Sequence, residues 1–530
     1  MRFSARLFPL RQNVMFDDQR MSLSERDPQL VYVSGFRASL EPRFFDRMKS
    51  HRFARMSLGI VLVFCCFVIL MGRSVAQETS ETNGDANKVE KIDADRTEFS
   101  WPRNSQPGSL VVFLGDSITH QGLYTQYLEN FFYTRYPELG IRFRNAGVAG
   151  DSISDALARF DVDVASHSPD YVTVLFGMND GQYQDYDAAI FAEFQSNLKQ
   201  LLDRIESVGA TPIVLSPTMF DHKVTRLRKN DLEWRFRDKE ISSSYNAVMS
   251  LFGAWSWDES RRRGNAFVNL WAPLNSYTDL GRLVDPKFTL IGDAIHPQPA
   301  GQVVMAYEIL MQLGVERRFS ASRVISTRGS KWIAGKRIRD LHVTDQGHSI
   351  NFKHDEVALP WVIPEQHSTK ELRWNLPSDA KKGFEMTHAG HRLSGDRLKI
   401  AGLPPGQYEV RVDGKLIGNW SHVVLGTKVE LQELPKTPQY QQSLALAELN
   451  RRRYDEFVRP TRDRMASLKG LNRRFAIDSD EYARRAEPIL ATIQELESGA
   501  DQLDREIRVL SQPACRQWDI RRVDSPSQAK

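Results

Sequence analysis

Between Leu110 and about Gly314 the chain alternates unbroken apolar runs with amphipathic stretches. Leu110 to Leu114 and Tyr171 to Phe176 are almost wholly apolar, which predicts strands buried on both faces. Ile141 to Asn145, Thr211 to Leu215 and Ala266 to Leu270 predict three shorter strands. Between them the spacing becomes helical, over Tyr124 to Tyr136, Asp155 to His167, Asp187 to Val208, Ser242 to Arg263 and Ala300 to Leu313. In Asp187 to Val208 the residues Ile190, Phe194, Leu198, Leu201 and Ile205 fall on one face. Strand and helix in alternation imply a parallel sheet covered on both sides and joined by right-handed crossovers. The expected fold is a three-layer α/β domain over residues 110–320.

The texture changes on either side of that domain. Over 331–435, Gln407 to Asp413 alternates in polarity, and Val423 to Leu431 reads as a second strand. Pro404-Pro405-Gly406 and Asp413-Gly414 are turn signals. These predict a small antiparallel β unit, followed by a helical segment over 436–512 whose interspersed Arg and Glu read as a solvated face. Residues 1–55 are polar and Arg-rich and are expected to be a disordered extension. Ser57 to Met71 is apolar, follows Arg52 and Arg55, and runs into Ser74-Val75-Ala76. This predicts a signal over 56–76, cleaved after Ala76 or kept as a membrane anchor, and hence a secreted, periplasmic or cell-envelope location. Residues 77–109 are polar and are expected to be a disordered linker.

Composition removes some functions. The net charge is +4 (71 basic against 67 acidic residues), too small an excess on this chain to suggest nucleic acid or an anionic membrane as partner. Any contact with a membrane is expected only through the N-terminal anchor. Cys65 and Cys66 lie within the signal, so a cleaved chain keeps only Cys515 and has neither an intrachain disulfide nor a cysteine zinc site.

The chemistry concentrates at strand carboxyl ends. Ser117 follows the first strand, Asn145 to Ser152 the second, and Gly177-Met178-Asn179-Asp180 the third. Asp293 to His296 comes after the fifth. In a parallel sheet such loops share one edge, so residues distant in sequence can share a cleft. A serine hydroxyl needs a base; His296 can supply it, and Asp293, three residues earlier, can orient the imidazole. The backbone N–H of Ser117, the backbone N–H of Gly150 and the Asn179 amide can serve as oxyanion donors. Gly147 competes with Gly150 for that part, and Asn179-Asp180 also reads as a turn pair. His120 is read as a rim or structural residue, with no carboxylate placed to orient it. Trp255, Trp257 and Trp271 read as core more readily than as sugar platforms.

The blocks GDSITHQG with Ser117, NAGVAGDS with Gly150, GMND with Asn179, and DAIH with Asp293 and His296 resemble those of the SGNH hydrolases, also called GDSL esterases and lipases. The resemblance implies a flavodoxin-like sheet and a Ser-His-Asp triad that needs no metal or organic cofactor. It favours Gly150 over Gly147. It implies an ester hydrolase, expected to act on O-acetyl or other short acyl esters of carbohydrates. A lipase-like or lysophospholipase-like esterase, with Phe131, Phe132 and Phe176 lining an acyl pocket, is the first alternative. A non-catalytic glycan-binding envelope protein is the second.

Overall fold

The computed structural model describes residues 106–227, 235–236, 239–240, 242–317, 320–327, 331–364 and 379–523. The expected N-terminal extension, the signal and nearly all of the linker lie outside the described residues. Among the described residues no helix is long and apolar enough to cross a membrane.

Five strands form the central sheet: β1 (Leu110–Gly115), β2 (Arg142–Gly147), β3 (Tyr171–Leu175), β4 (Thr211–Leu215) and β5 (Ala266–Val268). All pairs are parallel, in the order β2-β1-β3-β4-β5. Every residue of β1 is buried, as its apolar run predicts. The chain leaves β1 for β2 on one side and returns to β3 on the other. This reversal opens a crevice at the carboxyl ends of β1 and β3. Besides a short helix at His222–Leu227, the helices are α1 (Ser117–Gln121), α2 (Leu123–Arg135), α3 (Ile153–Asp163), α4 (Ala188–Ser207), α5 (Tyr245–Arg263), α6 (Trp271–Val284) and α7 (Pro299–Gln312). Two apolar clusters result, one built around α2 and α7, the other around α4 and α5. The short α1 and the whole of α6 were not foreseen from the sequence.

The β unit is larger than its sequence suggests. It contains β6 (Ser320–Thr327), β7 (Lys331–Ala334), β8 (Ile338–Thr344) and β9 (Ser349–Asp355), then, past α8 (Ala380–Thr387), whose Ala380 and Phe384 pack in the α/β core with α7, β10 (Asp396–Ala401), β11 (Gln407–Val412), β12 (Lys415–Ser421) and β13 (Val429–Glu430). The helical segment follows as α9 (Pro438–Arg453), α10 (Arg459–Asn472) and α11 (Asp480–Leu510). The chain then re-enters the β unit as β14 (Cys515–Val523). One sheet, β8-β9-β14-β11-β12, is antiparallel. The other, β13-β10-β6-β7, contains a parallel pair, β6 with β10. Their shared core includes Val324, Phe352, Leu398, Tyr408 and Trp518. The strand expected at Val423 to Leu431 is instead a helical turn, His422–Thr427, followed by the two residues of β13. Ser421 explains the difference: its hydroxyl accepts from Val424 N and starts a helix there.

The helical segment closes over the α/β domain. All 13 residues of α2 are buried, polar ones included. Its Glu129 accepts from Tyr454 OH (2.8 Å) and Asn450 Nδ2 (3.0 Å), and Thr125 Oγ1 lies 2.6 Å from Tyr454 OH. At the end of α3 the buried Asp163 receives Arg462 from α10 (2.7 Å), Arg159 (2.6 Å) and Arg144 from β2 (3.0 Å). Burial alone would raise the Asp163 pKa, but the three guanidiniums outweigh it and hold the carboxyl well below its ordinary value. Asp163→Asn should therefore strand buried arginines and lower unfolding free energy by about 3–5 kcal/mol, measured by denaturant titration.

Candidate active site

The site begins with close packing of α1 against the sheet. A Cβ on Gly115 would lie 2.2 Å from Thr119 Oγ1, and one on Gly147 would lie 2.3 Å from His120 N. Glycine at both strand ends lets α1 sit directly on β1 and β2. Asp116 caps α1 by accepting from Ile118 N at 2.9 Å, and Ser117 is its first residue. Ser117 N has no intrahelical acceptor at that position.

The loop before α7 brings the second group. Asp293 Oδ1 accepts from the backbone N–H of Ile295 (3.0 Å) and of His296 (2.6 Å). The other oxygen, Oδ2, lies 2.6 Å from His296 Nδ1. Placing the proton on Nδ1 leaves Nε2 as an acceptor, and Nε2 is 2.9 Å from Ser117 Oγ. Burial raises the Asp293 pKa, but the hydrogen bonds and charge of His296 outweigh it, so the carboxyl titrates below its ordinary value.

The third group surrounds Asn179. Its Nδ2 donates to Asp151 O at 2.8 Å and reaches Asp116 Oδ2 at 3.4 Å. Tyr183 OH donates to its Oδ1 at 2.9 Å, which fixes the orientation of the amide. Asp180 does different work: it accepts from Ile153 N and Gly177 N, both at 2.9 Å, and so joins two loops. Gly150 has a left-handed φ of +73°, and nothing lies within 4 Å of where its Cβ would be. Gly147 N, in contrast, already donates to Asn145 Oδ1 (2.9 Å).

Ser117, His296 and Asp293 are thus joined by direct contacts. Asn179 reaches the same crevice through Asp116, and Gly150 adjoins it through Asp151. Reasoning from sequence missed Tyr183 and Lys469. Lys469 Nζ, from α10, donates to Gly150 O (3.0 Å) and Asp151 Oδ1 (2.7 Å). Tyr183 follows the GMND block closely enough to have been considered; Lys469 had no local signal. His120 also differs from expectation. Its Nδ1 accepts from Ala149 N at 3.1 Å, and a carboxylate, Asp463 Oδ1, stands 3.2 Å from Nε2. The three tryptophans lie elsewhere: Trp255 and Trp271 pack on the core, and Trp257 is half-exposed beneath Arg261. Among the described residues no cluster of His, Cys, Asp and Glu could hold a metal ion.

Residues 113–304 match the model of the GDSL-like lipase/acylhydrolase family. The chain carries this family's domain over that segment. It is a hydrolase of ester bonds. An acetylxylan esterase from Geobacillus stearothermophilus is 25% identical over 232 residues, covering 39% of this chain and 95% of the relative. An uncharacterized lipoprotein from Bacillus subtilis is 28% identical over 128 residues, and the match spans only 47% of its length and 20% of this chain. Among solved structures, a gut microbial diltiazem-metabolizing enzyme superposes with a TM-score of 0.66 at 22% identity, covering 79% of this chain and 98% of the other. That overlap is longer than the family match, so the shared fold includes segments beyond the hydrolase domain.

Burial, tempered by the Ile118 N–H and by His296, raises the Asp116 pKa from 3.8 to about 7. A raised pKa means the folded state holds its proton more tightly than the unfolded chain does. Stability from this group is complete below pH ~4 and is lost as pH rises through ~7. Asp116→Asn, which resembles the protonated form, should match the parent at pH 4 and exceed it at pH 8 by at least about 1 kcal/mol in chemical denaturation.

Proposed function

We propose that this hydrolase cleaves carboxyl esters with Ser117 as nucleophile, His296 as general base and Asp293 as the carboxylate that orients it. The unbroken chain of contacts from Asp293 through His296 to Ser117 Oγ carries this reading. His296 Nε2 takes the hydroxyl proton as Oγ attacks the ester carbonyl. The resulting imidazolium is stabilised by Asp293 and then returns the proton to the departing alcohol. Water repeats the sequence on the acyl-enzyme and releases the acid. No metal or organic cofactor is required.

The backbone N–H of Ser117, the backbone N–H of Gly150 and Asn179 Nδ2 act as donors to the oxyanion. Gly150 suits this part better than Gly147, whose N–H is already engaged and whose surroundings admit no substrate. Asn179 spends one hydrogen on Asp151 O; the other has only the long contact with Asp116 and can turn to the oxyanion.

The substrates we propose are O-acetyl and other short acyl esters of carbohydrates. The similarity to an acetylxylan esterase supports this choice. An acyl pocket formed by Phe131, Phe132 and Phe176 is disfavoured, because all three are buried in the core. Export to the cell envelope, directed by the signal pattern at 56–76, fits a polysaccharide substrate.

Ser117→Ala should abolish hydrolysis of acetyl esters and covalent labelling by a fluorophosphonate while circular dichroism stays unchanged. Labelling at another serine would refute the assignment. Asn179→Ala should lower kcat by about 10²–10³-fold with KM little changed, the cost of one oxyanion donor. Tyr183→Phe, which only frees the amide to rotate, should lower kcat by about threefold to tenfold in steady-state assays.

A further inference from the structure

Beside the oxyanion loop lies a cavity of about 500 Å³ that the proposed chemistry leaves unused. Its volume falls within the range of about 300–1,000 Å³ typical of small-molecule sites. One end is formed by Gly150 and Asn179, so whatever fills the cavity lies next to the scissile ester. Ala466, Lys469 and Gly470 in the lining come from α10, a helix outside the segment that matches the hydrolase family.

The lining decides what could bind. Ser154, Gln182 and Asn197 offer hydroxyl and amide groups, and Asp155 and Glu193 offer carboxylates. Burying an acyl chain against these groups would strip them of water without return, so the cavity suits a hydroxylated ligand. The charges are largely internal pairs. Asp155 meets Lys469 at 3.0 Å and Arg473 at 2.9 Å, which leaves little preference for an anionic ligand. Gly470 stands on the α10 wall, and nothing lies within 4 Å of where its Cβ would be. Glycine within a helix is unfavourable relative to alanine, and here it keeps the wall low. Lys469, bonded to Gly150 O, ties that wall to the oxyanion loop.

We propose that this cavity is the subsite for a neutral sugar that bears the ester, with Gly470 of α10 and Arg473, which caps its end, determining which sugars fit. The proposal rests on the carbohydrate-ester reading given above. It gives the helical segment a part in specificity: the alcohol side of the substrate is read by a segment that contributes nothing to the triad.

The test uses the full chain, 4-nitrophenyl acetate as an ester without a sugar, acetylated xylotetraose, and calorimetry with unmodified xylotetraose. In Gly470→Trp, the ratio of kcat/KM on acetylated xylotetraose to that on the aryl acetate should fall by about tenfold or more. In Arg473→Ala, whose side chain is more than half exposed and so is replaced without disturbing the core, the ratio should fall by about threefold. Xylotetraose binding should weaken in parallel. A ratio unchanged in both variants, or xylotetraose binding undiminished in Gly470→Trp, overturns the subsite; if Gly470→Trp does not fold, Arg473→Ala decides alone. If the unaltered protein binds xylotetraose, loses that binding in the variants and hydrolyses neither ester, the esterase reading fails and the subsite stands.

Discussion

A carboxylate sealed from water must find cations, and Asp163 is met from three directions: from its own helix, from β2 and from α10. The consequences run outward along the same charges. Arg159 also holds Asp151 at 2.8 Å, and the backbone carbonyl of Asp151 receives Asn179. Lys469 grips the other oxygen of the Asp151 carboxylate. One connected set of ion pairs therefore runs from the helical segment to the loop that carries Gly150. In a low-dielectric interior such a network strengthens as a unit and is costly when one member is missing. The helical segment is part of what gives the crevice its shape.

The central fold was legible because its signals are local. An apolar run with no polar interruption has few alternatives to a doubly covered strand, and β1 and β3 appear where those runs lie. The four loops could be brought together on paper because a parallel sheet sends every strand's carboxyl end to one edge. The contacts among Ser117, His296 and Asp293 follow from that geometry. What stayed hidden is non-local. In α2, Glu129 and Asn130 give no hint in sequence of partners more than 300 residues away. The arginines of 436–512, interspersed with glutamates, read as a solvated surface, yet Arg453 and Arg462 are buried in ion pairs. Val423 to Leu431 shows a different limit. Its apolar residues suit a strand, but one serine at its edge caps a helix, and local capping prevails over pattern.

The β unit raises a related point about chain order. β14 pairs with β9 on one side and β11 on the other, so the last described strand occupies the centre of its sheet. A ribosome delivers β9 and β11 well before β14. Until β14 arrives, both strands present unpaired backbone edges, the kind of surface on which chains associate wrongly. The hydrolase domain has left the ribosome by then, but the α10 wall beside Gly150 has only just followed. A chain that stopped before α10 would carry the proposed nucleophile and base without the segment that borders their crevice.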